Sequence, residues 1–269
     1  MIIEIKNIVK DMLGYIFDPK TAARDFEIYK LEKMSRYKPG RTRLLGPEVH
    51  FPDSASFLSA YREIFSREIY KFNSDNNHPY IIDCGANIGL SIIYLKKIYP
   101  EAEIIAFEPD EKIFKILERN IESLKLKNVK LIQSGISNEE TTADFYSEGA
   151  DGGRIAQLND KNNIIKIKTT RLNYYLQKPV DLLKIDIEGT EYDVLKDCQI
   201  LLKNVKNLFV EYHSFVDAEQ KLPELLKILK EAEFKIFINR TGLSLNQPFI
   251  QKKNNLGMDL QLNIFAYRT

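Results

Sequence analysis

YIIDCGANIGL, residues 80–90, decides how the rest of the chain is read. Its first half is a short apolar run ending in an acid, Asp83, and its second half is a glycine turn that opens a helical pattern, SIIYLKKI, over residues 91–98. A strand, a tight turn and a helix in this order leave a carboxylate and a row of free backbone N–H groups facing one crevice at the strand's carboxyl end. That crevice is a small-molecule site. Gly85 and Gly89 stand where the backbone must bend sharply and admit a ligand without a Cβ in the way. Asn87 takes the place of the middle glycine of a dinucleotide fingerprint, so the pattern is D-x-G-x-N-x-G and points away from a pyrophosphate ligand. Taken alone, a plain strand-to-helix turn explains such spacing equally well.

The neighbouring sequence gives the turn its context. EIIAFEP, residues 103–109, reads as a second strand ending in Glu108, at a distance that suits an acid accepting hydrogen bonds from both ribose hydroxyls of an adenosine. The alternative is that Glu108 caps the helix beginning at residue 110. A helix over 111–124 and an apolar run VKLIQSGIS, 129–137, continue the alternation. Strand and helix alternating on this scale predict an α/β fold with a doubly wound, mostly parallel sheet and right-handed crossovers.

Further along, TTADFYSEG (141–149) and NIIKIKTTRL (163–172) alternate polar with apolar residues and predict edge strands flanking a loop. Gly152 and Gly153 in that loop suit either a cover over the crevice or a solvated excursion. VDLLKIDIEGTEYDVLKDC, 180–198, predicts a strand with Lys184, Asp186 and Glu188 on one face before Gly189 opens another helix. Charge at alternate positions of a buried central strand is costly unless it is paired or in use. NLFVEYHSF, 207–215, is a further strand whose carboxyl end carries Glu211 and His213. A helix over 218–232, a strand at 234–240 and a last strand at 260–268 complete the pattern.

The chain has 269 residues, 44% of them hydrophobic, and a net charge of +1. Those values suit one α/β unit with an appended segment and argue against a nucleic-acid surface, which needs a basic face. Cys84 and Cys198 belong to no C-x-x-C pair, and His50, His78 and His213 lie far apart, so neither a disulfide framework nor a metal cluster is expected. A reducing, cytoplasmic compartment fits. Charges at Glu4, Lys6, Lys10 and Asp11 interrupt the apolar start too often for a signal peptide or a membrane span. Ile5, Ile8, Val9, Met12, Ile16 and Phe17 instead recur at helical spacing, a face for the body of the protein or for a second copy, which makes a homodimer an expectation. A second helix over 21–34, irregular chain with a small hairpin over 41–54, and a helix over 56–72 capped by Asp53 or Ser54 follow. NSDNNHP, 73–79, divides this extension (1–79), suited to dimerisation or substrate cover, from the main domain (80–269).

DCGANIGLS, AFEPD, VKLIQSGIS, KIDIEG-x-E-x-x-VL and FVEYH together resemble the FkbM-type family of S-adenosylmethionine-dependent methyltransferases, over about half of the chain. The resemblance implies a class I, Rossmann-like methyltransferase fold with S-adenosylmethionine as the cofactor. It implies that Asp83, Gly85, Ala86, Asn87, Gly89 and Leu90 line the methionine part, that Glu108 and Pro109 meet the ribose and adenine, and that Ser134, Gly135 and Ile136 lie beside the adenine ring. Gly135 stands where the family commonly has alanine, and Asn173 where it commonly has aspartate. The region before Tyr80 looks like the subgroup associated with bacterial sugar and polysaccharide modification, which implies O-methylation of a sugar hydroxyl, with a small-molecule or glycan acceptor.

A sulfonium donor needs little activation, so the protein must align the acceptor, exclude water and receive a proton. The residues placed for this are His213 or Asp186 as proton acceptor and Glu188 to orient the base or the acceptor. No metal is required. The rival readings are a nicotinamide-dependent sugar oxidoreductase or epimerase, disfavoured by Asn87, and a domain of the same fold that binds a partner without catalysis.

Overall fold

In the computed structural model, residues 19–149, 153–155, 163–242, 247, 249–253 and 257–268 are described. The amphipathic start expected over residues 1–17, and Gly152, lie outside them. Helix α1 (Pro19–Glu32), the hairpin β1 (Gly40–Thr42) and β2 (Val49–Phe51), and α2 (Ser54–Tyr61) precede the sheet. The main elements then run β3 (Tyr80–Cys84), α3 (Leu90–Ile98), β4 (Glu103–Phe107), α4 (Glu111–Ser123) and β5 (Val129–Ile132). A small sheet follows, from β6 (Gly135–Ser137), β7 (Thr142–Ser147), β8 (Gly153–Ile155) and β9 (Ile164–Arg171). The chain closes with β10 (Val180–Ile185), α5 (Glu191–Asp197), β11 (Val205–Phe215), α6 (Leu222–Glu231), β12 (Lys235–Arg240) and β13 (Met258–Tyr267).

The central sheet has the order β12-β13-β11-β10-β3-β4-β5. Its five strands from β11 to β5 are parallel, and β13 lies antiparallel between β11 and β12. Strand order reverses between β3 and β10, and at such a switch point the loops leave in opposite directions and open a crevice above the carboxyl ends. Every residue of β3 is buried, because helices cover both faces. Ile81 belongs to the core shared with α3, α4 and the N-terminal segment, whereas Tyr80 and Ile82 belong to the core on the other face.

The N-terminal segment is held by polar as well as apolar contacts. Asn120 of α4, fully buried, accepts from the His50 N–H (2.8 Å) and donates to the carbonyls of His50 (3.0 Å) and Ile88 (2.9 Å), tying β2 to the glycine turn. Asn120→Ala strands these groups in the core, and an unpaired buried polar group costs ~1–3 kcal/mol. Chemical denaturation is expected to show at least that loss for Asn120→Ala, against within ~0.5 kcal/mol for the exposed Glu122→Ala.

Three elements differ from expectation. The helix over 56–72 ends early: after α2 the chain makes a π turn (Arg62–Ser66), and Glu68 adopts a left-handed conformation. Asp53 does cap it, accepting from Ser56 N–H at 2.9 Å. The run 129–137 breaks at Ser134, whose N–H turns back to the Ile132 carbonyl (3.0 Å), so that β5 stays in the central sheet and β6 joins β9. The last helix begins only at Leu222, with Pro223 in its first turn. Among the described residues no helix is long and apolar enough to cross a membrane.

Candidate active site

The turn after β3 is shaped by backbone. Gly85 (φ +88°) and Ala86 both donate to the Phe107 carbonyl of β4, at 3.1 and 2.8 Å. A Cβ on Gly85 would lie 1.9 Å from the Asp186 carbonyl oxygen, so only glycine lets the β3 and β10 turns approach this closely. Gly89 (φ +90°) caps α3, and a Cβ there would meet Leu117 Cδ1 at 2.7 Å. Both glycines read from the sequence are therefore demanded by packing.

Above the switch point lies a cleft of about 740 Å³, counted with its open mouth. Gly85, Asn87, Glu108, Pro109, Ser134, Gly135 and Ile136 line it, as do Asp186 and Glu188. Asp83, Ala86, Gly89 and Leu90, expected at the cofactor, lie behind the wall, and each of the first two and Leu90 is nearly or wholly buried. His213 is also behind it, 3% exposed.

Glu108 closes one end. Asp110, and not Glu108, caps α4, accepting from Lys112 N–H (2.8 Å) and Ile113 N–H (3.3 Å). Glu108 is thereby left to the cleft, with one oxygen accepting from Asn87 N–H (3.0 Å) and the other from Asp110 N–H (2.9 Å). Each carboxylate oxygen has two acceptor positions, so two remain for the hydroxyls of a ribose. Burial pushes the Glu108 carboxyl up to about 7, against the lowering effect of these backbone donors. Ile113, Phe145 and Ile167 supply apolar wall beside it for a flat ring.

Acid and base groups crowd the other end. Lys184, on the central strand β10 and 3% exposed, donates to the Gly85 carbonyl (2.8 Å) and lies 3.1 Å from Asp83 Oδ1 and 3.3 Å from Asp186 Oδ2. The strand ends at Ile185, so Asp186 and Glu188 sit in the turn beyond it and not on a strand face. Asp186 N–H donates to the Cys84 carbonyl (3.0 Å), while Glu188 (φ +59°) and Gly189 (φ +113°) make a left-handed bend. A non-glycine residue so placed stores on the order of 1 kcal/mol or more, a cost that clusters at ligand sites. His213 Nδ1 lies 2.9 Å from Glu191 Oε1, and its Nε2 lies 3.5 Å from Glu188 and 3.6 Å from Glu211.

These groups bring more carboxylates than cations into one cluster. Burial raises Glu188 to about 8 and Asp186 to about 6, the latter restrained by Lys184. For His213, burial favours the neutral ring, but the Glu188 charge and the bonds to Glu191 and Glu211 outweigh it and leave the pKa well above the ordinary value. The surrounding carboxylates thus favour the charged ring at His213.

Asp186, Glu211 and His213 bring one potential metal-ligand atom each to within 4.8 Å of the others, the grouping of that kind among the described residues. Their atoms are already paired internally: Lys184 faces Asp186, and the Gln261 amide donates to Glu211 (2.6 Å) and meets His213 Nε2 (3.2 Å).

The small sheet forms the far wall through Phe145, Ser147, Gly153 and Ile155. Ser147 Oγ bonds Asp110, and Tyr37 Oη of the N-terminal segment donates to Glu148 (2.9 Å). Sequence reading named Gly153 here and left a cover and a solvated excursion as alternatives, but it singled out none of Phe145, Ser147 and Ile155. The alternation of Phe145 and Ile167 across paired strands was the available signal.

Against known proteins, the sequence model described as the Methyltransferase FkbM domain matches residues 83–236, more than half of the chain. The chain belongs to this family. The FkbM domain thus spans β3 to the start of β12 and contains the cleft between Glu108 and Asp186. The chain is similar to Methyltransferase sdnD of Sordaria araneosa, at 31% identity over 51% of this chain and 66% of that protein. It is similar to the 2-O-methyltransferase NoeI of Sinorhizobium fredii, at 26% over 68% of this chain and 80% of the relative. It is also similar to the hexuronic acid methyltransferase AglP of Haloferax volcanii, at 27% over 62% and 67%. The chain therefore spans about two thirds of the first relative's length.

Proposed function

We propose that this FkbM-domain protein is an S-adenosylmethionine-dependent O-methyltransferase whose acceptor is a sugar hydroxyl, free or within a glycan. The observation that carries the reading is one cleft with a carboxylate at each end: Glu108 with two open acceptor positions, and Asp186, held by Lys184, at the switch point. The printed names of NoeI and AglP, one a 2-O-methyltransferase and one acting on hexuronic acid, support the oxygen nucleophile and the carbohydrate class.

S-Adenosylmethionine supplies a methyl carbon that is already electrophilic, on a sulfur that leaves as a neutral thioether. The chain's own residues hold and orient. Glu108 takes the ribose hydroxyls, and Phe145, Ile113 and Ile167 exclude water around the ring. With the donor bound, which would supply the methyl group and leave as the thioether, Asp186 would receive the proton given up by the acceptor hydroxyl. Glu188 orients the acceptor, and the His213 imidazolium holds Glu188 and Glu211 in place. Alignment can supply ~7–11 kcal/mol of the barrier and a base about 10²–10⁴-fold, so positioning is the larger share.

Calorimetry with S-adenosylhomocysteine against NAD tests the cofactor, and a mass-spectrometric screen of nucleotide sugars and glycans for the gain of one CH₂ unit tests the acceptor. Tight NAD binding with no affinity for the homocysteine would favour the oxidoreductase. The Glu108 carboxyl must be ionised to accept from the ribose and ionises near pH 7, so affinity is expected to be level above that pH. Below it, S-adenosylhomocysteine binding should weaken by up to about tenfold per pH unit. Glu108→Gln should bind weakly at every pH, without this dependence.

A further inference from the structure

We propose that Lys184 is a positioning residue for methyl transfer: its one ammonium ties the glycine turn to the β10 turn and aims the Asp186 carboxylate into the cleft. This rests on the reading above, in which Asp186 receives the acceptor proton. Three partners, one on β3 and one on each of the turns that follow β3 and β10, meet at Nζ: Asp83 Oδ1 at 3.1 Å, the Gly85 carbonyl at 2.8 Å and Asp186 Oδ2 at 3.3 Å. Lys184 and Asp83 are opposite each other in the β3–β10 register, so this bridge is set by the pairing of the two central strands.

A lysine placed merely to neutralise Asp83 has no need of Asp186, because Ser91 Oγ already donates to the other Asp83 oxygen. The ammonium instead spans the gap between the buried acid and the acid at the cleft. Asp186 carries its side chain 25% exposed, Asp83 is wholly buried, and Lys184 is the group between them. It also holds the Gly85 carbonyl, on the turn where a Cβ would collide with Asp186, so the same ammonium sets the spacing of both turns. The charged or titratable groups facing Asp186 are Lys184 and Asp83 on the central strands, Glu188 beyond the turn, Glu211 and His213 on β11, and Tyr70 from the N-terminal segment. Among these, Lys184 is the cation whose ammonium lies within salt-bridge distance of the Asp186 carboxylate.

The test separates a structural lysine from a positioning one. Lys184→Met alone leaves Asp83 buried without its cation and loses fold stability under either view, so the informative protein is Lys184→Met with Asp83→Asn. Thermal unfolding and S-adenosylhomocysteine calorimetry establish that it is folded, and ¹³C-carboxyl NMR, assigned with Asp186→Asn, reads the titration of Asp186 directly. The expected result is an Asp186 midpoint moved up by about one unit or more from its value in the unmodified protein. With the acceptor found by the screen, the acidic limb of the kcat profile should move by the same amount. An unmoved Asp186 midpoint in the folded double variant overturns the proposal. Should the double variant not fold, Asp83→Asn alone decides: with Asp186 as the remaining carboxylate of Lys184, its midpoint should fall, and an unchanged midpoint overturns the proposal. Because the NMR readout needs no acceptor, failure here is distinct from failure of Asp186 as the base, which would show as intact methyl transfer in Asp186→Asn.

Discussion

Replacing Asp186 with asparagine is expected to cut methyl transfer by about 10²–10⁴-fold while leaving S-adenosylhomocysteine affinity within about threefold. The asparagine keeps the size of the side chain and its place 3.3 Å from Lys184, but it has no site for the acceptor's proton. In the unmodified enzyme the Asp186 carboxyl ionises near pH 6, so kcat should rise with pH up to about that value and level off above it. The rise is the signature of a base that works only when ionised. The asparagine variant should lose this limb along with the rate. Single-turnover mass spectrometry of the methylated acceptor measures both. A variant that kept its rate and its pH limb would move the proton to another group, with Glu188 next in line at the same wall.

Gly85→Ala is expected to be the most damaging single methyl group that can be added to the cleft. Two costs combine. The backbone at φ +88° disfavours any Cβ by ~1–2 kcal/mol, and forcing an atom into packed surroundings adds ~1–3 kcal/mol. The obstruction is the Asp186 carbonyl at 1.9 Å, which is main chain and cannot rotate aside. The β3 and β10 turns must therefore part, and with them the Gly85 and Asp186 walls of the cleft. A loss of about 2–5 kcal/mol in denaturant unfolding is expected, together with loss of detectable S-adenosylhomocysteine binding. A variant that retained both stability and affinity would mean that the two turns sit farther apart than described.

The doubly wound order was legible because strands buried on both faces read as apolar runs, and acids mark where they end: Asp83 after β3's isoleucines, Glu108 after β4. Glu108 in the cleft was legible for the same reason, whereas residues 134–136 entered only through the family resemblance. What sequence spacing does not carry is depth. Asp83 and Asp186 each follow an apolar run, yet one is sealed beneath Lys184 and the other opens on the cleft, because Asp186 lies one residue beyond its strand. His213 shows the same limit: its role depends on Glu188 and Glu191, from the turn and helix after β10, meeting it beside Glu211 of its own strand. The cover was harder still, since Phe145 and Ile155 become wall only when β7, β8 and β9 pair into a sheet of their own.

The bond from Tyr37 to Glu148 joins the N-terminal segment to that cover, while Asn120 anchors the same segment to α4 and to the glycine turn. The segment is thus a tether with one end in the core and the other on the roof. Tyr37→Phe is therefore expected to loosen the roof from that tether while leaving the acid groups of the cleft where they are.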